Sequence, residues 1–178
     1  MNQKFTDSFP TLKIYKSRCV RTPERVYEHD AGIDFFVPNH LKPIALFPHE
    51  RKKIPSGIHA RIPTGYMLKA EDKSGIGISR GLKYIGGVID ENYMGEISIC
   101  LFNTANEKAI IKSGDRIIQF ILIPVLYSEV ELVKSIDDLF PSKTERGSDG
   151  FGSTQSVQKC YQCHTVHALG TMCPICYA

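Results

Sequence analysis

The sequence predicts an all-β protein, a barrel or sandwich built from short strands, with little helix. From residue 12 to about residue 133, short extended segments alternate with turn residues, and proline and glycine recur at intervals typical of such folds. The clearest alternation of apolar and polar side chains has the period of a half-buried strand. With 178 residues, of which 42% are hydrophobic and 23% charged, the chain is long enough for one well-packed domain and a small appendage.

Five segments have the clearest strand pattern: residues 12–15, 54–62, 66–70, 96–103 and 116–125. In the fourth, isoleucine and leucine alternate with polar or small side chains, so one face of that strand is expected to be buried. Helix is favoured at only two places. One is a short turn over residues 75–81 with Ser74 as its N-cap, and the other covers residues 136–139, capped by Ser135.

The most informative stretch is residues 86–96, which read Gly-Gly-Val-Ile-Asp-Glu-Asn-Tyr-Met-Gly-Glu. It places the carboxylate of Asp90 and the ring of Tyr93 at the turn of an apolar hairpin, between glycines that permit close approach of another chain or a ligand. A carboxylate held rigidly beside room for a small molecule indicates a general base next to a planar wall. The alternative for this segment alone is a turn-forming aspartate with a packed tyrosine.

Four other segments carry polar side chains suited to chemistry. Residues 31–34 place Asp34 at the start of a strand, and residues 72–75 combine a cation, a hydroxyl and a free backbone N–H, which suits phosphate. Gln119 interrupts an otherwise apolar strand, and residues 146–154 set a guanidinium, an aromatic ring and two hydroxyls among glycines. Each segment alone is weakly diagnostic, whereas all five in this order form a specific pattern.

In order and spacing, the five segments resemble the five motifs of the trimeric dUTPase family, over roughly residues 30–155. The stretches 87–95 and 146–154 are the most specific. The resemblance implies a distorted jelly-roll-like β fold (β-clip), a homotrimer with three active sites, and Mg²⁺-dependent hydrolysis of dUTP to dUMP and pyrophosphate. In this family the last motif usually closes over an active site of another subunit, which would explain an aromatic ring in so polar an arm.

The resemblance also implies roles for single residues. Asp90 would orient and deprotonate the water that attacks the α-phosphate, and Tyr93 would pack against the deoxyribose and exclude a 2′-hydroxyl. Asp34 would position waters around Mg²⁺. Backbone groups of residues 84–88 would read the uracil edge, and Phe151 would stack over the base. The other implied substrate contacts are Lys73, Ser74, Gly75, Gly87, Val88, Gln119, Arg146, Gly152, Ser153 and Thr154.

Three positions depart from the family pattern: Lys73, Asp149 and Tyr84, the last of which stands where some members have an asparagine facing the base. Lys73 stands where the family usually has arginine, which keeps the charge but loses the bidentate fork. Asp149 stands where glycine is usual and places a negative charge near a triphosphate. Simpler interpretations also remain open at two other residues, since Asp34 could be a strand-end residue and Gln119 could satisfy a buried backbone group.

Six cysteines divide into two groups. Cys19 and Cys100 lie alone in apolar patterns, and we expect both to be buried, inert thiols. The others follow zinc-ribbon spacing, and four thiolates suit a closed tetrahedral Zn²⁺ site whose folding depends on the metal. Two disulfides or free thiols are the alternative, as is replacement of one cysteine by His164 or His167. The expected ligands are Cys160, Cys163, Cys173 and Cys176.

The predicted organisation has three parts: a β domain over residues 1–140, a lid arm over 141–155 and a cysteine module over 156–178. The net charge of +3 is too small to predict nucleic-acid binding, and no apolar run is long enough for a membrane span or signal peptide. A cytoplasmic protein is expected, with a nuclear location left open. In the module Lys159 is the only charged side chain, which favours anchoring of the arm or trimer, with docking of a protein partner as the alternative.

Two other functions compete with dUTP hydrolysis. The first is a dCTP deaminase, or a bifunctional deaminase and dUTPase, because deaminases of this kind resemble dUTPases in fold. The second is a regulatory or adaptor role for the dUTP-bound trimer, exerted through the zinc tail. The Asp90–Tyr93 pair and the last motif favour hydrolysis, and the adaptor role would be an addition to the enzyme.

Overall fold

A computed structural model describes residues 9–144, 147–148 and 157–176. Contacts divide the chain into two compact units, Met1–Ser128 and Glu129–Ala178. In order, the elements of the first unit are β1 Lys13–Lys16, β2 Ile33–Phe36, β3 Ile44–Leu46, β4 Arg51–Pro55, β5 Ile58–Arg61, β6 Tyr66–Glu71, α1 Ser74–Arg80, β7 Leu82–Tyr84, β8 Val88–Ile89, β9 Ser98–Asn103, β10 Ala109–Ile111 and β11 Arg116–Pro124. The second unit contains α2 Ile136–Leu139, β12 Val157–Lys159 and β13 Val166–Ala168.

The first unit is built from antiparallel sheets, which confirms the all-β prediction. A four-stranded sheet has the order β2-β11-β6-β8 and a three-stranded sheet the order β4-β9-β7, while β1 pairs with β5 and β10 with β3. The core residues include Phe35 and Phe120, whose ring centroids lie 4.6 Å apart. The predicted alternation in β9 is present, since Ile99 and Leu101 are buried and Ser98 and Cys100 are partly exposed.

Residues 54–62, predicted as one strand, form two strands in different sheets. The break falls at Gly57, whose φ of +72° favours glycine and turns the chain out of β4. The N–H of Gly57 donates to Oε1 of Glu96 at 2.7 Å, and its carbonyl accepts from the N–H of Ser17 at 2.9 Å. These bonds replace the sheet pairing that an uninterrupted strand would make.

The two predicted helices are present, and one cap differs from the prediction. Helix α1 begins at Ser74 itself, with Lys73 as the N-cap and no side-chain capping bond. The helix therefore begins one residue earlier than predicted, and Ser74 is its first residue instead of its N-cap. Helix α2 is capped as predicted, because the Ser135 side chain accepts from the Asp138 N–H in a capping box.

The expected hairpin around Asp90 is wrong in its pairing. Strand β8 pairs with β6, whereas β9 pairs with β4 and β7. The segment after β7 last pairs with β9 through the bond from the Ile85 N–H to the Cys100 carbonyl. At Gly86, which has a φ of +117°, the segment crosses to β6, where the Gly87 carbonyl accepts from the Ala70 N–H at 2.8 Å. Asp90 therefore lies on a segment that connects two sheets.

The prediction of buried thiols outside the cysteine module is also wrong. Cys19 is exposed, with its sulfur 3.3 Å from the Asn39 amide nitrogen, and Cys100 is only partly buried. Among the described residues, no helix is long and apolar enough to cross a membrane. The boundaries near residues 140 and 155 stay a prediction.

Candidate active site

Asp34 forms the centre of a compact charge cluster. Its carboxylate is almost fully buried, with 3% of the residue exposed. Oδ1 lies 2.5 Å from Nζ of Lys73, and Oδ2 lies 3.3 Å from Nη1 of Arg116. A buried carboxylate without a counter-ion would be strongly destabilising, so these cations make its burial tolerable. The interpretation of Asp34 as a strand-end residue does not account for this double pairing.

Gln119 lies beside this cluster because β11 pairs with β2 in a register that sets Gln119 opposite Asp34. Its Nε2 donates to the backbone oxygen of Asp72 at 3.0 Å. The side chain occupies the space over Gly32, where a Cβ would lie 2.1 Å from its Oε1. Gln119 thus satisfies a backbone group here, which was the simpler of its two predicted roles. Its contact with phosphate stays a prediction.

The first turn of α1 presents the predicted phosphate-binding groups to the surface. Ser74 and Gly75 are exposed, and a Cβ at Gly75 would meet nothing within 4 Å. Asp72, just before the helix, accepts from the N–H of Tyr84 at 2.6 Å and so fixes the start of this loop against β7. Open space around exposed N–H groups and a hydroxyl suits an anionic ligand.

Asp90 lies on an exposed turn that is held from both sides. The N–H of Tyr93 donates to the Asp90 carbonyl at 3.1 Å. Next to it, Oε2 of Glu91 accepts from the N–H of Gly65 at 2.6 Å and from the hydroxyl of Tyr127 at 3.0 Å. The bond to Glu91 is the main reason that the pKa of Tyr127 is raised, with smaller effects of burial and of the charges on Glu91 and Asp90. The turn therefore holds Asp90 in a defined position.

A surface cavity of about 350 Å³ adjoins the ring of Tyr93. Glu96 lines it and is fixed by the Gly57 N–H and by Arg18, whose Nε lies 3.2 Å from Oε1. Burial raises the pKa of Glu96, but these hydrogen bonds outweigh burial and hold the pKa below its usual value. A larger cavity of about 460 Å³ contains none of the predicted site residues and so offers no support for the site.

The structure assembles some predicted residues and leaves others apart. Asp34, Lys73 and Gln119 form one group, and Asp90 with Tyr93 forms another. Within the described ranges, no hydrogen bond or ion pair joins the two groups. Gly87 lies at the crossover between the sheets, and Val88 is 54% exposed next to it. The last-motif residues fall outside the described residues: Arg146, Phe151, Gly152, Ser153 and Thr154.

Sequence reasoning missed two residues that the structure places at the site. Arg116 pairs with Asp34, and its only sequence signal is its position three residues before Gln119, at the start of β11. Glu91 holds the Asp90 turn, although its partners are 26 and 36 residues away in the chain. The sequence signal for Glu91 is its place directly after Asp90, the expected base.

In the second unit, the four module cysteines bring their sulfurs within 4.8 Å of one another. The distances from Cys160 to Cys176 and from Cys163 to Cys173 are 3.9 and 3.4 Å, far beyond the S–S bond of about 2 Å. The described cysteines are all free thiols, and the cluster could hold a metal ion. His167 contacts the Thr171 hydroxyl instead of the cluster.

Hydrogen bonds shift the pKa values of two of these thiols in opposite directions. Hydrogen bonding with the hydroxyl and the N–H of Thr165 lowers the pKa of Cys163 to about 6. The bond to Cys163 and burial raise the pKa of Cys176 to about 12.

Glu91 gives a first testable prediction. Replacing Glu91 by alanine leaves the Gly65 N–H without its acceptor and is expected to lower the free energy of unfolding by about 1–3 kcal/mol. Glu91→Gln should lose less, because an amide oxygen can still accept both bonds, and Tyr127→Phe should lose least, because that bond is exposed. Chemical denaturation of the three variants measures the order. Equal stabilities for Glu91→Ala and wild type would contradict it.

Comparisons with known proteins agree with the geometry. The family model for dUTPase matches residues 19–155. The deoxyuridine 5'-triphosphate nucleotidohydrolase of Picosynechococcus sp. is 32% identical over 145 residues, which is 80% of this chain and 95% of that protein. The protein of the same name from Mus musculus is 36% identical over 132 residues, which is 74% of this chain and 76% of that protein.

Solved structures show the same fold. A variant of the phage 80alpha dUTPase superposes with a TM-score of 0.69 at 26% identity, over 80% of this chain and 98% of that one. The dUTPase of phage phi11 of S. aureus, which coordinates a structural Mg(II) ion, gives a TM-score of 0.64 at 25% identity over 71% of this chain and 99% of that one. By its matched residues, its relatives and its fold, the chain belongs to the dUTPase family.

Proposed function

We propose that this protein hydrolyses dUTP to dUMP and pyrophosphate. Family membership supports the substrate, and the observation that carries the proposal is the Asp90 turn, which exposes Asp90 and whose backbone is held by the bond from the Tyr93 N–H to the Asp90 carbonyl and by the bonds of neighbouring Glu91. The dCTP deaminase alternative is not favoured, because the family model and the relatives named above are dUTPases. An added adaptor role stays a prediction.

In the proposed reaction, Asp90 is the general base. Its carboxylate accepts a proton from a water molecule while the water oxygen bonds to the α-phosphorus and pyrophosphate leaves with the electrons of the broken P–O bond. Because Asp90 is exposed at a held turn, it can approach a substrate without reorganising the fold. Positioning of this kind supplies much of the rate in phosphate chemistry.

The phosphates would be bound by the first turn of α1 and by the last motif. Ser74 and Gly75 offer a hydroxyl and open N–H groups, and Gln119 lies close by through the pairing of β11 with β2 and β6. Arg146, Ser153 and Thr154 would clamp the γ-phosphate, with Gly152 beside them and Phe151 over the uracil. Lys73 is engaged with Asp34, so its contribution to phosphate binding requires release from that pair.

Magnesium is implied by the family, and the residues present fit it. Asp34 is a carboxylate, the donor type that Mg²⁺ prefers. Lys73 and Arg116 each bond one of its oxygens, which leaves further lone pairs for a metal-bound water. When bound, the ion would neutralise charge on the triphosphate. Asp34 would orient its water shell, and the two cations orient Asp34.

The proposed assembly is a homotrimer. The Asp34 group and the Asp90 turn are not joined by hydrogen bonds or ion pairs within the described part of the chain. A site completed by a second copy is what the family resemblance implies. The last motif would then reach a site on another subunit.

We further propose that the module binds one structural Zn²⁺. Four sulfurs at about 2.3 Å from a tetrahedral Zn²⁺ lie about 3.8 Å from one another, close to the separations found here. Four thiolates are a donor set that prefers zinc. Such a site requires reduced thiols, which supports an intracellular location.

Zinc removal gives a second prediction. Elemental analysis should find one Zn²⁺ per chain, and a chelator should unfold the module while the first unit keeps its melting temperature, because the two units are separately compact. Cys173→Ser should abolish zinc binding, whereas Cys19→Ser, a cysteine outside the cluster, should leave it intact. Zinc-free protein, or Cys–Cys bonds in the purified chain, would contradict the assignment.

The function itself is tested by pyrophosphate release across dUTP, dTTP, dCTP, dATP, dGTP and UTP. We expect release from dUTP and very little from the others. Ammonia release from dCTP, measured in the same samples, would instead identify a deaminase. If the folded protein releases no pyrophosphate from any of these nucleotides in the presence of Mg²⁺, the proposal is overturned.

A further inference from the structure

The ring of Tyr93 is exposed yet closely held. Its side chain follows the Asp90 turn and lines the cavity of about 350 Å³, with 44% of the residue exposed. The hydroxyl is not available to a ligand as a free donor, because it donates to the backbone oxygen of Glu96 at 3.1 Å. The surface that Tyr93 offers to the cavity is therefore mainly ring carbon.

A surface of ring carbon can discriminate between sugars because it offers no hydrogen bond to a sugar hydroxyl. A ligand C–H group packs against the ring without loss, whereas a hydroxyl pressed against it gives up hydrogen bonds to water and gains none. The held ring thus favours a sugar edge without a hydroxyl. Its effect depends on the ring staying where it is, since a displaced ring would admit water or turn its own hydroxyl to the ligand.

Gly95 is what permits this ring position. A Cβ on Gly95 would lie 2.4 Å from the Tyr93 Oη and 2.5 Å from its Cζ, closer than real Cβ atoms approach other heavy atoms. The backbone of Gly95 does not itself require glycine, because its φ lies outside the left-handed region. The need is for space. Any larger residue at position 95 would push the ring off and disturb its bond to Glu96.

We propose that Gly95 is a specificity-determining residue, which sets the Tyr93 ring so that the site accepts a deoxyribonucleotide and rejects the ribonucleotide. This inference rests on the proposed hydrolysis of dUTP. Gly95 acts through Tyr93 and touches no reacting atom. A methyl group at position 95 moves the ring and opens the space for a 2′-hydroxyl.

The test is the ratio of kcat/KM for dUTP to kcat/KM for UTP. Apolar walls reject an added hydroxyl by about 100-fold, so Gly95→Ala is expected to lower the ratio by about 10- to 100-fold, mainly through better use of UTP. Gly77→Ala is the matched control. An added Cβ there has ordinary contacts, the nearest at 3.9 Å, and Gly77 lies within α1, outside the lining of the cavity next to Tyr93. Any effect on phosphate binding would act on dUTP and UTP alike, because both carry the same triphosphate. The control should keep the wild-type ratio.

A double variant shows whether Gly95 acts through the ring. In a Tyr93→Ala background the ratio is already low, and adding Gly95→Ala should change it less than about twofold, as expected for coupled neighbours. A wild-type ratio in Gly95→Ala, or a further large drop in the double variant, would overturn the inference. Absence of dUTP hydrolysis by the wild type would instead overturn the proposed function. Melting temperatures, measured alongside, identify any variant that is merely unstable.

Discussion

Replacing Asp90 by asparagine is expected to lower the turnover of dUTP by about two to four orders of magnitude while substrate binding stays close to wild type. Asparagine has the same shape, so the backbone bond from Tyr93 to residue 90 is retained and the turn persists. The amide oxygen cannot take the proton of the attacking water at neutral pH. Single-turnover kinetics with excess enzyme measure this chemical step apart from product release.

The matched control is Asp137→Asn, which removes an exposed carboxylate in the first turn of α2, outside both residue groups of the site. It should retain full turnover. Binding of dUTP to the Asp90→Asn variant, followed by calorimetry, should give a dissociation constant within a few-fold of the wild-type value. A turnover loss of less than about tenfold would remove Asp90 from the role of base.

Local patterns in the sequence predicted the strands well, because the period of side chains in a strand is set by the backbone itself. The alternation in β9 is an example, and the start of α2 at the Ser135 N-cap was predicted from an equally local signal. Pairing between strands was not predictable in the same way. Strand β8 has two residues, too few to specify a partner, and its pairing with β6 is fixed by the crossover at Gly86–Gly87.

The same difference between local patterns and strand pairing applies to the residues of the candidate site. Residues inside short motifs, such as Asp90 and Ser74, could be identified because the motif keeps them together in sequence. Arg116 could not, since its contact with Asp34 spans 82 residues and arises from the pairing of β11 with β2. The position of Gln119 shows a different limit. The motif singles out Gln119 as a site residue. The hydrogen-bond partner of Gln119 in the ligand-free chain is the Asp72 carbonyl, and this partner depends on the fold.

The cysteine module is where sequence and structure agree most directly. Spacing alone predicted that four thiols converge, and their sulfurs lie within 4.8 Å. The prediction worked because two short turns and one hairpin, β12 with β13, are enough to bring the pairs together. For Cys19 no such constraint exists, and it lies exposed between Arg18 and Val20.

Truncation after Leu139 is expected to leave a folded protein with at least about 100-fold lower activity, the scale of loss when phosphate-positioning groups are removed. The truncated chain keeps the whole first unit, Met1–Ser128, with its core and both residue groups of the site. It loses Arg146, Phe151, Ser153 and Thr154. A thermal melt should therefore change little, and sedimentation should give the same oligomeric state as the full chain.

A chain ending at Gln155 separates the last motif from the cysteine module. It retains residues 146–154 and lacks all four module cysteines, so it should recover most of the activity if the motif alone is required. If both truncations are equally inactive, the module contributes to catalysis. If the chain ending at Leu139 keeps near-normal activity, the last motif has no role in phosphate binding, and the first unit must supply every group that the reaction needs.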